Sequence, residues 1–194
     1  MAATVLIKRV TGPGGGQTLN EITSGTTRLN TADVVADGTA NPTQVPAAGT
    51  NYSFWACIRL VCSVAPTTGI NNLRFYTDGV NSLGTGVGLN VSTVAGTNGS
   101  TTTNYTQATG TAGATGLEMG ANYGFSISAP ANAFGFTSAA PLTVTGTFTT
   151  GVDTAADSAA GSFADWCILQ LTVGTTASAG VTATETITFV WDEF

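Results

Sequence analysis

Carboxylates beside indoles are the residues of this chain whose placement suggests chemistry: Asp165 precedes Trp166, and Trp191 precedes Asp192 and Glu193. Glycosidases work with two acids, one to protonate the leaving oxygen and one to act as base or nucleophile, often beside aromatic rings. That mechanism needs both carboxylates to face one cleft, and aromatics flanked by acids also end ordinary strands. Histidine is absent, which removes Ser-His-Asp and Cys-His nucleophiles and every histidine-ligated metal site. The run GPGGGQ at 12–17 lacks the lysine and the following helix that a phosphate cradle requires, so its glycines read as a turn. Asp153 and Asp157, in GVDTAADSAAG, offer oxygen ligands of the kind calcium takes. Two carboxylates four apart in a loop read more simply as solvated, and no metal site is assigned. The expectation is a protein without an enzymatic activity and without a cofactor.

Three cysteines remain: Cys57, Cys62 and Cys167. Cys57 and Cys62 have opposite parity on one extended stretch, so they face opposite sides and do not bridge each other. A Cys62–Cys167 link stays open, with reduced and buried thiols as the simpler reading. Trp55 and Arg59 are four apart on the same parity, a spacing that lets a guanidinium lie against an indole. They serve either as a satisfied contact on one strand face or as a subunit-contact pair, since Trp and Arg are enriched at such contacts.

These residues belong to the stretch on which the rest of the chain is organised. Over 54–64 the even positions are Phe54, Ala56, Ile58, Leu60, Cys62 and Val64, and the odd positions are mixed. A period of two predicts a long strand with one uniformly apolar face. Ala65-Pro66-Thr67-Thr68-Gly69 ends it, and a partner strand follows over 70–77. Further alternation predicts strands at 4–10, 87–94, 123–128, 142–148, 165–173 and 185–191. Helical periodicity never exceeds two turns. About eight strands joined by Gly, Pro and Asn turns predict one all-β domain over 1–194, a β-sandwich of jelly-roll type. Its expected core is Phe54, Ile58, Leu60, Phe75, Phe125, Phe148, Leu169, Leu171 and Phe189. Residues 1–50 are less regular, and 95–121 is a long Thr/Gly/Ala/Asn segment with Tyr105, Leu117 and Met119 as its sizeable apolar anchors.

Charged residues make up 8% of the chain and the net charge is −6, from five cations and eleven acids. Ordinary soluble domains carry roughly 25% charge. Nucleic-acid binding needs a basic patch, and five scattered cations do not form one; anionic membranes are disfavoured for the same reason. The first nine residues put their charges after a short apolar run, the reverse of a secretory signal. Synthesis in the cytoplasm is expected. A Thr-rich surface with so few charges suits burial against other subunits, because little must be desolvated.

Four stretches, TVLIKRVTG, NYSFWACIRLVCSVAPTTGINNLRFYTDG, APLTVTGTFTT and TITFVWDEF, resemble a loose group of small virion-associated β-proteins of tailed bacteriophages. The resemblance covers nearly the full length and is most specific in the middle block. It implies a mechanical role, as a capsid decoration (cement) or head-fibre protein located in the virion, with the major capsid protein as partner. A homo-oligomer, as a trimer matching the local symmetry of capsid joints, is expected with it. The rival is a tail or fibre module that binds glycans. Capsid contacts are expected from the region up to Thr50, where extended Pro/Gly backbone can lie along another protein, with Arg28, Asn30 and Asp33 as the polar contact residues. The alternative for 17–50 is that it wraps the sandwich edge and covers an unpaired strand.

Overall fold

The computed structural model describes residues 3–11, 18–36, 38–94, 118–119, 129–146, 148–149 and 164–194. The expected central strand is β4, Ala56–Val64. It pairs antiparallel with β1, Thr4–Thr11, which in turn pairs with β2, Thr18–Glu21. On its other side β4 meets β10, Trp166–Gly174, which continues to β6, Val87–Val94, and β7, Ala131–Asn132. A short strand, β3 (Thr50–Tyr52), also pairs with β10 and completes a seven-stranded sheet. Among the described residues the second sheet has four strands. β5 (Gly69–Tyr76) lies between β11 (Thr188–Glu193) on one side and β8 (Leu142–Thr143) with β9 (Phe148–Thr149) on the other. The protein is an all-β sandwich of two antiparallel sheets.

Parity places the core between them. Val5, Ala56, Ile58, Leu60, Cys62, Leu89, Val91, Cys167 and Leu169 from the large sheet meet Ile70, Leu73, Phe75, Phe148 and Phe189 from the small one. Phe75 and Phe189 are direct cross-strand partners, their rings edge to face at 5.5 Å, a geometry the ring quadrupoles favour.

Several expectations need correction. Phe54 is outside this core: β4 begins at Ala56, so the alternation does not extend back to it, and Phe54 packs on the opposite face of the sheet. Leu171 is only half-buried. The strand expected over 142–148 is broken into β8 and β9. At Gly146 the backbone passes so close to Ala164 that an added Cβ would stand 2.8 Å from its Cα, and the neighbouring Thr145 carbonyl accepts from Asp165 N instead of continuing the ladder. The last strand starts at Thr188, and Glu185 is drawn off to accept from the Ser82 backbone N–H. Phe125 and the strand expected over 123–128 lie outside the described residues. The large sheet contains the order β4-β10-β6-β7, with β5 beside β8 and β9 in the other sheet.

Candidate functional site

Both faces of the large sheet are buried at its central strands, β4 and β10. The odd parity of β4 and the even parity of β10 point away from the sandwich core and build a second cluster: Val10, Trp55, Cys57, Trp166 and Ile168, closed by Met119. Arg59, 4% exposed, lies within it. Its guanidinium sits 3.7 Å from the centroid of Trp166, on the neighbouring strand, and its Nε donates to Ala164 O at 3.1 Å. Trp55 is wholly buried. The two residues expected at a subunit contact are therefore buried inside the chain, and the guanidinium lies against the indole of Trp166.

A buried amide organises the lid of this cluster. Gln170 Nε2 donates to Ser53 O at 3.0 Å, and Gln170 Oε1 accepts from Met119 N at 2.8 Å. The Ser53 hydroxyl in turn accepts from Leu171 N. The Tyr52 phenol is pushed above its ordinary range by burial first, then by the charge of Glu118 and a hydrogen bond to it. Glu118 and Met119 thus have polar and apolar fixings on this sheet face, and Met119 acts as the anchor expected of it.

At the margin of the inner core, a layer of chain without strands is pinned in a comparable way. Arg9 lies opposite Ile58 on the core-facing parity of β1 and is 1% exposed. Its Nη1 donates to Thr27 Oγ1 and to Arg28 O. Arg28 N and Thr27 Oγ1 both donate to Val35 O, at 3.0 and 3.1 Å. Thr31 gives its N–H and hydroxyl to Asn41 O, Phe54 N donates to Asn30 O at 2.8 Å, and Asn51 Nδ2 donates to Gln44 O at 2.8 Å. Ile22 and Leu29 pack onto the core from above. The loop layer is a fixed surface whose outer side carries Thr, Ala, Asn and Pro.

The residues expected to touch a capsid sit in this layer in three different environments. The Arg28 side chain is exposed while its backbone is held on both sides. Asn30 is buried at 5% and its Oδ1 accepts from Ala32 N, an Asx turn that shapes the loop. Asp33 is half-buried.

Two of the three carboxylates set beside indoles, Asp192 and Glu193, have structural partners. Asp192 is held by Arg74 Nη2 at 3.1 Å and by Asn72 Nδ2, and Glu193 accepts from Ala3 N at 3.1 Å. Trp191 packs against the core. Asp153 and Asp157 lie outside the described residues. Among the described residues no three His, Cys, Asp or Glu side chains stand close enough to hold a metal ion, and no helix is long and apolar enough to cross a membrane.

All three cysteines are buried thiols outside any disulfide. Cys167 is opposite Ile58, so Cys62 stands four residues further along, roughly 13 Å at strand rise, beyond the ~7 Å that a disulfide spans. Burial pushes the Cys167 thiol up to about 12 and raises Cys62 as well.

Alternation in the sequence located Cys57 and Trp55 on the outer parity, but it carried no sign that this face is covered. Arg59 and Gln170 are the available signals: polar side chains on the outer parity of otherwise apolar strands. The chain matches no known protein family, no curated protein and no solved structure.

Proposed function

We propose that this is a structural virion protein of a tailed bacteriophage that binds the outer surface of the capsid as a decoration protein and stabilises it. The observation that carries the reading is the pinned loop layer over 22–50. It has three charged residues, Arg28, Asp33 and Asp37, and its described backbone is held by Arg9, Asn51 and the Phe54 N–H. A layer already ordered loses little conformational entropy on docking, and an almost uncharged one has little to desolvate. The resemblance of the strand blocks to virion-associated β-proteins supplies the partner, the major capsid protein.

Such a protein needs no chemistry. It stabilises the shell because it binds the assembled lattice and not the disrupted one, each site adding RT ln(1 + [L]/Kd), about 2.7 kcal/mol at a hundredfold excess over Kd. The test is quantitative mass spectrometry of purified particles together with thermal melting of capsids with and without the protein. Hundreds of copies and a higher melting temperature are expected. A handful of copies would place it in the tail, and unchanged melting would remove the stabilising role.

A further inference from the structure

The two sheets treat their outer faces differently. That of the large sheet is sealed by the Trp55–Trp166 cluster, whereas the small sheet presents Arg74, Tyr76, Thr143, Thr188, Val190 and Asp192 outward. The assignment follows from register: Arg74 is opposite both Val190 and Thr143, and Tyr76 is opposite Thr188, while the intervening Phe75, Leu142 and Phe189 belong to the core. Thr143 and Asp192 are exposed and the others partly so. Near its centre the face carries one cation and one anion in contact, Arg74 and Asp192, whose side chains are 31% and 55% exposed. A bulge holds that pair in place. The register shifts between Val190 and Asp192, and Asn72 takes φ 53° so that its amide and the Arg74 guanidinium grip the two Asp192 oxygens.

We propose that this face pairs with the same face of a second copy about a two-fold axis. Charge decides the occupant. Of the five cations, Arg9 and Arg59 are sealed inside, and Arg74 stands on this face beside Asp192, so the face carries both signs where the chain as a whole is acidic. On this face a two-fold turn sets each Arg74 against the other copy's Asp192, and the four charges alternate in sign. β5 and β11, eight and six residues long, with the two-residue β8 beside them at a spacing of about 4.8 Å, cover at most on the order of 300 Å². That is well under the ~800 Å² per partner of a stable complex. The pairing is therefore weak in solution and becomes effective where copies are already neighbours. This deepens the decoration reading, which would place them side by side on a shell.

The experiment uses free protein, so it reads the face whether or not capsid binding is correct. Arg74→Glu makes the face uniformly acidic, and Asp192→Arg makes it uniformly basic. Sedimentation equilibrium up to about 1 mM should show weak self-association of the wild type, as small interfaces give, and loss of it in each variant alone. An equimolar mixture of the two should associate about tenfold or more tightly than the wild type, because attraction now runs one way across the contact. Thr143→Lys, at an exposed position, replaces Asp192→Arg as the basic partner if the latter fails to fold by circular dichroism. A monomeric wild type at 1 mM, or a mixture no tighter than the separate variants, overturns the proposal.

Discussion

Arg59 and Trp166 stand on adjacent strands with the guanidinium 3.7 Å above the indole centroid, and both are buried. A buried arginine is costly unless its charge and its N–H groups are met. Here the ring face meets the charge and Ala164 O meets Nε, so the pair ties β4 to the entry of β10. Arg59→Ala removes both contacts and is expected to destabilise the fold by about 2–4 kcal/mol in urea denaturation. Arg59→Lys should recover only part of that, since an ammonium lacks the planar fork.

Met119 closes the outer cluster over two of the chain's three tryptophans. Met119→Ala should cost about 2–5 kcal/mol. It should also shift the tryptophan emission to the red, because Trp55 and Trp166 gain water. An unchanged emission maximum would mean that the seal over these indoles does not depend on Met119.

The thiols set a limit at high pH. The Cys167 pKa rises from 9.0 to about 12 on folding. Below pH 9 both states are protonated and the stabilising effect of the neutral thiol is fully present. As pH climbs from 9 toward 12 the unfolded chain releases its proton first, so stability falls across that window. Tyr52, raised from 10.0, acts with the same sign. Denaturation midpoints measured between pH 8 and 11 should decline, and Cys167→Ser should flatten part of that decline. A thiol reagent at neutral pH should find no reactive cysteine in the native protein and three after unfolding.

Alternation made the sandwich legible because the inner faces are apolar at every second residue from Ala56 to Cys62 and again at Cys167 and Leu169. It failed where backbone contacts override parity. Phe54 precedes the first residue of β4, and Gly146 breaks the ladder to admit Ala164. The loop layer was legible only as irregularity. What holds it is a set of side chain-to-carbonyl bonds from residues far away in the chain, such as Arg9 to Arg28 O, and no local spacing encodes those. Arg28, Asn30 and Asp33 stand out in the sequence by polarity alone, and the fold gives them unequal exposure.

That inequality makes the capsid-contact reading testable at single residues. Arg28→Ala alters an exposed side chain and leaves the backbone hydrogen bond from its N–H in place, so stability should move by no more than about 0.5 kcal/mol. Asn30→Ala breaks an Asx turn at a buried position and should cost about 1–2 kcal/mol, which would disturb docking only through the shape of the loop. Arg9→Met keeps an apolar stem in the core but releases Thr27 and Arg28 O, so it should loosen the layer while the two sheets persist by circular dichroism. If the layer is the docking surface, capsid occupancy should fall most for Arg9→Met, and it should change little between about 50 and 500 mM salt, since few charges are involved. Full occupancy by a folded Arg9→Met protein would mean that the ordered loop layer is not what binds. A steep loss of occupancy with salt would mean instead that the acidic exterior makes the contact.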